Sequence, residues 1–152
     1  MRKIGFVFAL FILITGCKKN ADKEKINDSE IAMVPTVQEE CYAYRNDGNT
    51  IYMHLKKEAD KVTGNLEYAY SEKDSNTGTF EGTIKNDVLI AMYTFTSEGT
   101  KSRREVAFQV KDNTLIEGYG EVTEQDSTVK FKSPDKLVFN SDMPLTKVDC
   151  KK

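Results

Sequence analysis

From residue 41 onward, apolar and polar positions alternate along the chain. Ile51, Met53 and Leu55 are interleaved with Tyr52, His54 and Lys56, and Val62, Gly64, Leu66, Tyr68 and Tyr70 with polar residues such as Asn65 and Glu67. A period of two puts one face of an extended strand in a core and the other in water. The same pattern runs through 79–85, 88–97, 103–111, 114–124 and 128–132 and ends on Leu137-Val138-Phe139. Between these runs lie Asn46-Asp47-Gly48-Asn49, Lys85-Asn86-Asp87, Ser97-Glu98-Gly99 and Lys111-Asp112-Asn113, all turn chemistry. No helix of ordinary length is predicted after residue 40. The expected fold is all-β: an antiparallel up-and-down meander of about eight strands closing into a small barrel, with a two-layer sandwich as the alternative. Gly64, Gly82 and Gly118 each follow an apolar residue by two places. Glycine inside a strand marks a bend or a close approach, which favours the closed form.

The N-terminal part of the chain is organised differently. Met1-Arg2-Lys3 is basic, Ile4 to Ile14 is an uncharged apolar run, and Thr15-Gly16-Cys17 follows with small residues. A membrane-crossing helix needs roughly 20 apolar residues. This shorter run instead has the layout of a secretory signal, whose apolar region spans about 7–15 residues. From Lys18 to Glu40 the chain is rich in Lys, Asn, Asp and Glu, lacks apolar periodicity and contains Pro35. Such a segment buries too little apolar surface to offset the entropy of ordering, so it reads as a tether. The expected organisation is a signal peptide over 1–16, Cys17 and a tether over 17–40, a barrel-like domain over 41–150 and a tail of 151–152.

Ile14-Thr15-Gly16-Cys17 resembles the lipobox of bacterial lipoproteins, with Ile14 where the family most often has leucine. The resemblance implies cleavage before Cys17, acyl chains on its thiol and attachment to a membrane; stable anchoring takes more than one such chain. It also implies an address in the cell envelope. Lys18 follows the cysteine where aspartate would favour inner-membrane retention, so the outer membrane is expected.

Composition and cysteine count then sharpen this picture. The chain has 152 residues, 22 basic against 24 acidic side chains and a formal net charge of −2. That length suits one domain, and the absence of a basic excess argues against nucleic acid. Loss of residues 1–16 removes Arg2 and Lys3, which takes the net charge from −2 to −4. Three cysteines leave one unpaired in an oxidising compartment. If lipid takes Cys17, Cys41 and Cys150 remain at the two ends of the domain. A Cys41–Cys150 bridge is then expected, with two free thiols as the alternative.

Candidate chemistry is sparse. His54 is the one histidine in the sequence and falls on the polar face of its strand. Neither a Gly-x-Ser-x-Gly elbow nor a Cys-x-x-Cys or His-x-x-x-His spacing occurs, so no nucleophile, metal or other cofactor is expected. Paired carboxylates are the remaining catalytic option, with Glu117 and Glu121 on one strand face and Glu67 and Glu81 on neighbouring strands. With Ile116, Gly118, Gly120 and Val122 directed inward, Glu117 and Glu121 are expected to face water. For binding, strand parity from Val106, Phe108 and Val110 places Arg104 on the dry face, where Tyr68, Tyr70 and Tyr93 share the interior. A buried arginine needs a partner, and tyrosines suit the mouth of a ligand site.

The chain from Cys41 to Cys150 also resembles a group of small lipoproteins of Bacteroidota. The likeness lies in Cys41-Tyr42, Val62-Thr63-Gly64-Asn65-Leu66, Tyr93-Thr94-Phe95-Thr96-Ser97-Glu98-Gly99 with Arg104-Glu105-Val106-Ala107-Phe108, Glu117-Gly118-Tyr119-Gly120-Glu121 and the closing cysteine. It implies fold and address without an activity. The expected function is a non-enzymatic binding module for a ligand or an envelope partner protein. Lysozyme-inhibitor lipoproteins, small acidic barrels facing a basic target, are an analogy at the level of fold. The alternatives are a glycan-acting hydrolase using paired glutamates and a structural component of a surface complex.

Overall fold

A computed structural model describes residues 36–151. The expected signal peptide, Cys17 and nearly all of the tether lie outside the described residues. Seven strands form the meander: β1 (Gln38–Asn46), β2 (Asn49–Glu58), β3 (Lys61–Ala69), β4 (Asn76–Lys85), β5 (Val88–Ser97), β6 (Thr100–Lys111) and β7 (Thr114–Tyr119). The chain then forms a hairpin, β8 (Val122–Gln125) and β9 (Thr128–Phe131), a short 3-10 turn at Pro134–Lys136, β10 (Val138–Phe139) and β11 (Leu145–Val148).

Each meander strand pairs antiparallel with the next, β7 pairs with β11, and β11 pairs with β1. The result is a closed eight-stranded antiparallel barrel, as the alternation predicts. Three of its links, and the turn between β8 and β9, are two-residue turns with both residues at positive φ: Asp47-Gly48, Asn86-Asp87, Glu98-Gly99 and Asp126-Ser127. Such turns match the twist of the strands they join. Three of the four predicted turns, at residues 46–49, 85–87 and 97–99, are therefore hairpins of this kind, the predicted turn at 111–113 joins β6 to β7, and the Asp126-Ser127 turn, not among those expected, closes β8 on β9.

The interior is packed with side chains. Ile51, Met53, Leu55, Val62, Leu66, Leu89, Phe108, Leu115 and Leu145 belong to one contiguous buried cluster. Gly64 shows why glycine sits inside a strand here: a Cβ would overlap the His54 carbonyl oxygen and lie 2.8 Å from the Phe80 ring. The absent side chain lets that aromatic ring fill the barrel.

Two details differ from the sequence reading. Gln38, Glu39 and Glu40, polar residues that read as tether, are strand, opposite Lys57, Lys56 and Leu55. Glu39 is paired there with Lys56 at 3.0 Å and with His54 at 3.1 Å. The expected strand over 114–124 is broken after Tyr119. Beyond that point β6 changes neighbours: its C-terminal half pairs with β7, whereas Arg103 and Arg104 pair in parallel with Thr128 and Val129 of β9. A seam opens in the wall where β7 and the hairpin part company.

Candidate functional site at the barrel seam

The disulfide joins Cys41 to Cys150, with Cα atoms 5.1 Å apart across a sequence separation of 109. It staples β1 to the chain just after β11, its antiparallel neighbour. Tyr52 covers it from outside, donating its hydroxyl to Cys41 Sγ at 3.3 Å and accepting from the Lys151 amide at 3.4 Å. The ligand atoms of Cys41, His54 and Cys150 lie within 4.8 Å of one another. With the sulfurs bonded to each other, His54 is left facing Glu39.

The four residues singled out for binding converge. The Arg104 guanidinium lies 5.1 Å from the centre of the Tyr68 ring, 5.7 Å from that of Tyr93 and 5.3 Å from that of Phe95. Tyr70 packs against Tyr68 with ring centres 5.9 Å apart. Strand parity produces this arrangement, since Tyr93 and Arg104 are cross-strand partners and Phe95 lies two residues further along the same face. Aromatic faces attract a cation electrostatically, and here three of them share one.

The tyrosines and the arginine play different parts. Tyr68 and Tyr93 are 1% and 0% exposed. The Tyr93 hydroxyl is committed to the Leu66 and Asn76 carbonyls at 2.9 and 3.1 Å, and burial pushes its pKa up to about 12. Tyr70 is half-buried, is raised to about 12 by the same cause, and lines a separate shallow groove with Ser71, Lys73 and Met143. Only Arg104 of the four reaches the seam, where it lines an opening of about 230 Å³ with Glu117, Tyr119, Val106, Val129 and Phe131.

Glu117 corrects the sequence reading. It faces the interior, 6% exposed, and accepts the Tyr68 hydroxyl at 2.7 Å on one oxygen and the Tyr119 hydroxyl at 3.2 Å on the other. Burial raises its pKa above the ordinary value, against the pull of the Tyr68 hydrogen bond and the Arg104 charge. The register pairs Glu117 with Phe108 and Leu115 with Val110. Parity taken from Leu115 instead of from Ile116 would have turned Glu117 inward. Gly118 faces outward, and the Phe139 ring of β10 lies where its Cβ would be. The apolar residues of that face are thus covered from outside.

Glu121 does not join this site. Its side chain is 83% exposed and lies 3.5 Å from Lys132 Nζ, so the two glutamates do not share a cleft as paired-carboxylate hydrolysis requires. Glu67 and Glu81 stand opposite Thr77 and Thr63. Glu105, missed in the sequence reading, also borders the opening and accepts the Phe131 amide at 2.8 Å, which holds β9 against β6. Comparison with known proteins finds no matching family model, no matching curated protein and no matching solved structure.

Proposed function

We propose that the chain is a lipid-anchored protein of the cell envelope, held through acyl chains on Cys17, whose barrel binds a ligand or a partner protein without transforming it. The anchor reading is supported by the division of the cysteines. Cys41 and Cys150 are used by the bridge, which leaves Cys17 of Ile14-Thr15-Gly16-Cys17 for lipid. Lys18 after it favours the outer membrane as destination.

The observation that carries the binding reading is the seam itself. A filled barrel has no structural need for an arginine, yet Arg104 Nε is buried without a hydrogen-bond partner beside the opening. An unsatisfied buried polar atom in a native fold calls for an explanation, and a site for a guest supplies one.

Two measurements test this. Metabolic labelling with an alkyne fatty acid is expected to mark the wild-type chain and not Cys17→Ala; equal labelling overturns the anchor. A fragment screen read by nuclear magnetic resonance is expected to find compounds that shift Val106, Glu117 and Val129 together, and a screen that leaves these residues unmoved overturns the binding site.

A further inference from the structure

The floor of the seam carries a positive charge without a contact counter-ion. Among the described residues no carboxylate lies within 4.0 Å of the Arg104 guanidinium. Of the two acids that line the opening, Glu117 turns its oxygens to Tyr68 and Tyr119 and Glu105 accepts the Phe131 amide. The rings of Tyr68, Tyr93 and Phe95 lie 5.1–5.7 Å from the guanidinium carbon. Aromatic faces attract a cation but accept none of its N–H bonds in the plane, so the donor fork keeps its capacity.

We propose that the seam between β7 and the β8–β9 hairpin binds a small organic anion, a carboxylate carried on a compact apolar body, with Arg104 as its counter-ion. This rests on the reading of the seam as a binding site and names what fills it. A planar carboxylate matches the guanidinium fork, which presents parallel N–H donors. The apolar body is received by Val106, Val122, Val129 and Phe131, which border the opening, while Tyr119 stands 47% exposed at its rim. The space of about 230 Å³ corresponds to roughly seven or eight waters at ~30 Å³ each, enough for a single ring with one acidic group. A neutral guest of that shape would leave the guanidinium desolvated and unpaired, and a cation would be repelled by it. A dianion would meet one guanidinium flanked by Glu105 and Glu117, so a single negative charge suits the floor.

The test uses the full chain in lipid nanodiscs, with empty discs as blank, and three probes of one shape: benzoate, benzyl alcohol and benzylamine. Methyl resonances of Val106, Val122 and Val129 report occupancy. Benzoate is expected to shift these methyls saturably, to bind at least about ten-fold tighter than benzyl alcohol, and to weaken with added salt, while benzylamine leaves them unmoved. Arg104→Met is expected to weaken benzoate by about ten-fold or more and to leave benzyl alcohol unchanged. Should that variant fail to fold, the wild-type probe series decides alone. Benzyl alcohol or benzylamine binding as well as benzoate overturns the anion assignment and leaves the seam a binding site. Methyls unmoved by all three probes, or moved only at places remote from the seam, overturn both.

Discussion

Glu117 and Glu40 are held alike and behave in opposite ways. Each accepts a tyrosine hydroxyl at 2.7 Å, from Tyr68 and Tyr42 respectively. Glu117 lies inside the barrel with Arg104 beyond contact distance, and burial raises its pKa above the ordinary 4.5. Glu40, at the start of β1, meets the Lys147 ammonium at 2.6 Å, and the hydrogen bonds from Lys147 and Tyr42 hold it below 4.5. Tyrosine donation favours the charged carboxylate in both places. What differs is water and a contact cation: Glu40 has both, whereas desolvation outweighs the hydrogen bonds at Glu117.

The comparison requires the barrel to stay closed, so the largest effect is expected at the staple. Replacing Cys41 and Cys150 by alanine should lower the unfolding free energy by about 2–5 kcal/mol, given the long loop that the bridge closes. Urea unfolding with and without a dithiol reductant checks this; an unchanged midpoint in reductant would remove the staple from the account. Tyr68→Phe leaves a buried acceptor without its short bond and should cost about 1–3 kcal/mol. Tyr42→Phe should cost below about 1 kcal/mol, because Glu40 keeps Lys147 and water. Equal losses for the two variants break the contrast.

The pH dependences should run in opposite directions. Glu117 has a raised folded pKa, so its contribution is full below 4.5 and is lost as the pH rises through the folded value. The wild type should therefore lose stability relative to Glu117→Gln over that rise, and parallel profiles would show that Glu117 is not desolvated. Glu40 has a lowered folded pKa, so its contribution is present above 4.5 and is lost as the pH falls through the folded value. Glu40→Gln should cost the protein below about 1 kcal/mol at neutral pH, since Glu40 is only partly buried and solvent screens its pair with Lys147. That difference should vanish in acid, and its persistence there would point to packing as the cause.

Much of this architecture is legible along the chain. β5 occupies 88–97 as the alternation predicts, and the turn residues at 46–49, 85–87 and 97–99 mark real hairpins. The convergence of Arg104 with Tyr68, Tyr70 and Tyr93 also follows from parity, because a small barrel leaves few places for inward side chains to go. Glu117 was not legible for a specific reason. Alternation assumes one dry face and one wet face, but the outer face of β7 is dry as well. Phe139 and Leu137 crowd the outward positions of Gly118 and Gly120. Apolar and small residues at 116, 118 and 120 therefore mimic an inward face, and the glutamate between them is the residue that points in.

The antiparallel strands, most of their turns and the expectation of a bridge between Cys41 and Cys150 were legible in the sequence, because period two, turn residues and cysteine count are local or countable properties, whereas closure into a barrel and not a sandwich was decided by the pairing of β11 with both β7 and β1. Only the tertiary structure decided the protonation tendency of Glu117, the distance between that carboxylate and Arg104, and the seam they border. Those depend on which strand lies beside which: β6 leaves β7 for β9, β10 covers the outside of β7, and neither neighbour is written in the residues it covers.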